Sequence, residues 1–199
     1  PLVLGVLLLE GIFFSYMYLG RYPFLSAENH YFSEKLLSTY LQRVAGPVIV
    51  LVEDQPYTKA RAYLTYTGRM GELSEDERQQ FADPSNGHYS LGNVQISTKC
   101  LPFQEYPGVT FALEAAMFEQ CQVAELLATD SASLPENWSV RKGIASPIDS
   151  GTYYYVLNDP VCGLDDLSPY VHVTDVGLLD TASLSDADFC KNWMMVMDK

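Results

Sequence analysis

Few residues of this chain have the type and spacing that chemistry needs. His30, His88 and His172 lie far apart, and none has the H-x-x-x-H spacing that sets two imidazoles on one helix face. Serine, histidine and aspartate all occur, but no G-x-S-x-G turn is present to lift a serine as a nucleophile. Gly68-Arg-Met-Gly71 is too short for a phosphate loop and lacks its Lys-Ser/Thr ending. Asp159, Asp165 and Asp166 flank Cys162 without the spacing of a calcium loop. Tyr153, Tyr154 and Tyr155 offer rings for a sugar to stack on. In an alternating strand, however, Tyr154 faces away from the other two, and packing is the expected use. No titratable pair stands out as acid and base. The sequence therefore predicts no catalytic residue, no cofactor and no metal ligand.

Cys100, Cys121, Cys162 and Cys190 are the remaining reactive side chains. None is spaced C-x-x-C, which speaks against zinc and against a thioredoxin-type motif. Their even number fits two disulfides in an oxidising compartment. Of the three connectivities, neighbour pairing is preferred: Cys100 with Cys121, and Cys162 with Cys190. The alternative is four buried free thiols. Asn137-Trp-Ser139 is a glycosylation triplet, a pattern that also arises by chance.

The formal net charge is −13, from 12 basic and 25 acidic residues. Phosphate backbones need lysine and arginine, so nucleic acid is not an expected partner. An anionic lipid surface is disfavoured for the same reason. After Ser146 the only bases are Lys191 and Lys199. The simple account of the excess is a solvated, repulsive surface; the sharper alternative is a cation site.

The elements that position these residues begin with an almost wholly apolar stretch, Pro1 to Gly20, with Glu10 its one charge. It has no helical stripe, and a helix hydrophobic all round must be buried in protein or lipid. Twenty such residues cover about 30 Å, the thickness of a bilayer core. Tyr16, Tyr18, Arg21 and Tyr22 gather at its end as an interfacial belt would. The expectation is a transmembrane helix over residues 1–20, followed by one soluble extracytoplasmic domain over 21–199. Two other readings compete: a signal peptide, without its basic n-region or cleavage site, and a buried core helix. Glu10 near mid-membrane points to helical neighbours. Pro1 as first residue suggests a piece of something longer.

Beyond it, Asn29 or Ser33 can cap a helix running to about Ala45, with Phe32, Leu36, Leu37, Tyr40, Leu41 and Val44 on one face. Pro47 to Glu53 is a β-branched run suited to a strand covered on both faces. Pro56 opens a second helix that stops at Gly68. Ser74-Glu-Asp-Glu77 is a capping box, and Asp83 to Gly87 a turn. Strands are expected at 93–98, 109–113, 139–144, 152–157 and 189–197, with a short one at Val171-His-Val173 and a turn at 146–151. Residues 114–128 read as either helix or strand. The fold class is α/β: a membrane helix, then one small domain with a mixed sheet centred on Val48–Val52.

Several runs together carry a resemblance. They are Tyr18-Leu-Gly-Arg-Tyr-Pro23, Ser26-Ala-Glu28, Tyr31 to Tyr40 with its F-S-E-K-x-L pattern, and the strand after Pro47. With Ser146 to Gly151, Tyr154 to Cys162 and Phe189-Cys-x-x-Trp193, they resemble the C-terminal region of bacterial multi-pass glycosyltransferases. The family is that of protein O-mannosyltransferases and aminoarabinose transferases. The resemblance implies a domain that follows the last membrane helix and stands on the extracytoplasmic side of the cell membrane. The family transfers sugar from a polyprenyl-phosphate donor to a glycan or protein acceptor, and its acidic catalytic residues lie in an early loop that this chain lacks. No catalytic position carries over, and the implied role is acceptor or partner recognition. The alternative is a single-pass, membrane-anchored extracytoplasmic binding module with no enzymatic activity.

Overall fold

The structure, a computed structural model, describes residues 2–17, 32–129, 140–144, 153–162 and 185–196. Several positions singled out above lie outside them: Tyr18, Arg21, Tyr22, Asn29, His30, Asn137, the 146–151 turn, Asp165, Asp166 and the 171–173 strand.

The first helix, α1, is Leu2–Ser15, 14 residues. That is about 21 Å of rise against the 30 Å or so of a bilayer core. Its regular ladder gives way to a π turn at Tyr16–Met17. Among the described residues no helix is long and apolar enough to cross a membrane. The expected spanning helix over 1–20 is corrected accordingly: hydropathy reads the apolar run as one span, whereas the regular α ladder described covers 14 residues. Nor is α1 a core helix. Leu8, Leu9, Ile12, Phe13, Phe14 and Tyr16 are 59–69% exposed.

The domain is built on strand β1 (Val48–Leu51). It pairs in parallel on one side with β3 (Val94–Ser97) and on the other with β4 (Thr110–Glu114). β2 (His88–Leu91) runs antiparallel beyond β3. On the other flank β6 (Tyr153–Leu157), β5 (Val140–Ile144) and β7 (Met194–Val196) follow in turn, each antiparallel to its neighbour. The mixed sheet has the order β2-β3-β1-β4-β6-β5-β7.

β1 is buried along its whole length because both faces are covered. Val48, Val50 and Val52 meet α2 (Phe32–Arg43) and α3 (Pro56–Tyr66) through Leu36, Leu37, Tyr40, Ala60 and Leu64. Ile49 and Leu51 point the other way, with Phe111 and Leu113. There they meet Phe103, Met117 and Phe118 of α5 (Ala115–Gln120), and Val123 of α6 (Val123–Thr129). The 114–128 segment is thus two short helices, broken at Cys121-Gln122, where Gln122 takes φ 54. Tyr154 and Tyr155 divide as alternation requires. Tyr154 enters the first core, while Tyr155 stacks on Phe118 at 3.8 Å between ring centroids.

Ser74 caps α4 (Glu75–Phe81) in a full capping box with Glu77. Burial works against the Glu77 carboxylate, yet Ser74 and nearby Arg69 hold its carboxyl below the ordinary value. One expected strand is corrected. Residues 189–193 belong to helix α7 (Asp186–Trp193), and only Met194–Val196 is strand. The reason is local: the Ser185 hydroxyl accepts from the Asp188 N–H and donates to its carboxylate, a cap that starts a helix.

Gly92 turns the β2–β3 hairpin at φ 66, and a Cβ there would lie 3.3 Å from the Arg69 guanidinium nitrogens. Arg69 in turn donates to the Leu91 carbonyl. Gly92→Ala should therefore cost about 1–2 kcal/mol, the left-handed penalty of a side chain, read as a lower urea midpoint with unchanged slope. Along β2 the odd-numbered residues bond to β3, so the His88 and Ser90 N–H groups face outward. Two side chains take them up: Asn86 Oδ1 accepts from His88 at 3.2 Å, and Gln80 Oε1 from Ser90 at 2.8 Å.

Candidate functional site

In sheets with parallel strands, ligands bind beyond the carboxyl ends, where neighbouring connections diverge. Here that place is the end of β1 and β4. Glu53, Asp54 and Gln55 leave β1 exposed, with Gln55 at φ 49 leading into α3, and Glu114 closes β4. Lys59, one turn into α3, reaches into this crevice. Its ammonium lies 2.7 Å from Glu34 Oε1, 2.9 Å from Glu114 Oε1 and 3.4 Å from the Tyr154 hydroxyl. The second oxygen of Glu114 accepts the Glu53 N–H at 2.9 Å.

Four elements thus meet at one ammonium: α2, α3, β4 and β6. A lysine has three protons, and all three have an acceptor here. Burial pushes the Lys59 ammonium down, but Tyr154, Glu114 and Glu34 beside it outweigh this and hold it well above its ordinary value. Burial pushes the Tyr154 phenol well up; Lys59 offsets part of the rise, and Glu114 and Glu34 add to it. Near neutral pH the cluster therefore holds a charged lysine and a protonated phenol, neither poised to exchange a proton. It clamps the fold at the place where a ligand would otherwise sit.

Among the described residues, Tyr154 apart, the side chains weighed for chemistry in the sequence serve local structure. His88 is exposed and meets only Ser90, at 3.0 Å, through its Nε2. Asp159 serves a turn, accepting from the Tyr40 hydroxyl at 2.7 Å and from the Val161 and Cys162 N–H groups. Gly68 to Gly71 forms a helix end and a short 3-10 turn, not an anion cradle. Among the described residues no group of three His, Cys, Asp or Glu is placed to hold a metal. The cysteines pair as Cys100–Cys121 and Cys162–Cys190.

An open groove lies on the outer face of α3. It holds about 380 Å³ and runs between Tyr57 and Tyr66, with Arg61 and Ala62 between them and Thr58 and Thr65 alongside. The inner face of the same helix carries the buried Ala60, Tyr63 and Leu64; Arg61, Ala62, Thr65 and Tyr66 lie on the other side, while Tyr57, two turns before Leu64, packs on the core beside Phe81 and Tyr89. It holds one cation and no acid, in a chain of net charge −13. Aromatic rings at either end of a small residue, with hydroxyls and a guanidinium beside them, suit a ring-shaped polar ligand. No sequence pattern announced it, because Arg61 and Tyr66 read simply as the outer positions of an amphipathic helix. No protein-family model, curated protein or solved structure matches the chain.

Proposed function

We propose that this chain is an accessory, non-catalytic domain of a membrane glycosyltransferase that uses a polyprenyl-phosphate sugar donor. In this reading α1 holds it at the membrane, its body stands on the extracytoplasmic side, and the catalytic loop lies outside this chain. The observation that carries the reading is the exposure of large apolar side chains on more than one face of α1. At about 100° per residue, Leu8, Ile12, Leu9 and Phe13 spread over roughly 140° of the helix, and Phe14 stands about 100° beyond them. A single protein partner covers one stripe, whereas lipid or a surrounding helical bundle covers all of them. Two disulfides fit an oxidising compartment. The closed Lys59 cluster and the open α3 groove favour recognition over catalysis.

The test is flotation with neutral phosphatidylcholine vesicles, chosen because the chain is too acidic for an anionic surface to attract it. The whole chain should rise with the vesicles, and a Leu9→Lys/Phe13→Lys variant should stay at the bottom of the gradient. A whole chain that stays at the bottom as a detergent-free monomer would overturn the reading.

A further inference from the structure

The two disulfides sit in opposite surroundings. Cys162 and Cys190 are 2% and 0% exposed, inside the core between the sheet and α2. Cys100 is exposed on the loop after β3, and Cys121 is half-buried at the corner between α5 and α6. Cys121 also lines a surface cavity of about 320 Å³, together with Leu101, Phe103, Gln104, Gln122 and Glu125. Attack on a disulfide needs a thiolate in line with one sulfur, so access decides which bridge reacts.

We propose that Cys100–Cys121 is a thiol–disulfide exchange site, open to a dithiol reductant through this cavity, while Cys162–Cys190 is closed to it. The incoming thiolate forms a bond to the sulfur of Cys121, and the Cys100–Cys121 bond breaks. The electron pair leaves on Cys100. The second thiol of the reductant then attacks the mixed disulfide and releases Cys121. The chain gains two electrons and two protons, and the reductant leaves as a disulfide. Two features set the direction. Cys121 faces the cavity, and Lys99 adjoins Cys100 in sequence, whereas Glu119 and Glu125 flank Cys121. A neighbouring cation favours the thiolate that leaves. With the bridge open, the corner at Gln122, a non-glycine residue at φ 54, loses its tether to the loop.

The experiment takes the whole oxidised chain through a dithiothreitol series without denaturant, with alkylation and peptide mass spectrometry. Cys100 and Cys121 should be alkylated at a reductant concentration at least about tenfold below that needed for Cys162 and Cys190. Brief exposure to glutathione, a monothiol, should leave the adduct on Cys121 and a free thiol at Cys100. Simultaneous opening of both bridges, earlier opening of Cys162–Cys190, or no opening short of unfolding each overturns the proposal. An adduct on Cys100 overturns its direction of attack.

Discussion

Lys59→Ala should lower stability by about 3–5 kcal/mol, the usual cost of removing one partner from a buried ion pair. Glu34 and Glu114 are 8% and 16% exposed in their side chains and share this single ammonium. Without it, two carboxylates and the Tyr154 hydroxyl face one another with no cation between them. Lys59→Met keeps most of the aliphatic stem, so comparing the two variants separates lost charge from lost packing. If both lose stability to a similar degree, charge is the cause. The pH dependence has a definite sign. The folded-state value of Lys59 is raised, so its contribution is complete below the ordinary lysine value of 10.5 and falls only as pH rises beyond it. In the wild type this contribution should therefore be complete between about pH 6 and 9. Urea unfolding across that range measures it, and a variant within about 0.5 kcal/mol of wild type would show the cluster to be dispensable.

Ile49→Asp should abolish folding. Ile49 is 5% exposed, in the middle of the strand that pairs on both sides, and packs in the second core. Among the described residues no cation lies in that core, so the new carboxylate is buried without a partner there. The penalty exceeds about 4 kcal/mol, a large share of a domain's total stability. Circular dichroism should show no cooperative thermal transition. A folded, monodisperse variant would mean that this face of β1 lies open.

Much of the scaffold was legible because it rests on local rules. Val48 to Val52 carries no polar side chain, and only a strand covered on both faces suits such a run. The stripe through Leu36 and Tyr40, the Pro56 start and the Ser74 capping box were each readable from spacing alone. β2 was not read. Tyr89 and Leu91 do face Ile96 and Val94 across the two-residue turn Gly92-Asn93, but four residues after a turn make a faint pattern. At the C-terminal end the apolar run from Trp193 outweighed the Ser185 cap, and a helix was read as strand. The Lys59 cluster was out of reach, since residues 34, 59, 114 and 154 meet only once the sheet order is known. A hint was present: Lys59 adjoins Ala60 at the rim of the buried stripe of α3.

The two side chains that close the outer rim of β2 have a consequence for crowding. A bare strand rim offers its N–H and C=O groups to any extended chain, including another copy of the same protein. Here Asn86 and Gln80 already occupy the donors of His88 and Ser90, so a neighbour arriving on that side finds both outward N–H groups taken. The opposite rim, β7, is three residues long and gives an incoming strand little to grip. Copies packed shoulder to shoulder on one surface can thus collide in the plane of their sheets without zipping into fibres, and lasting contacts are left to their helical faces.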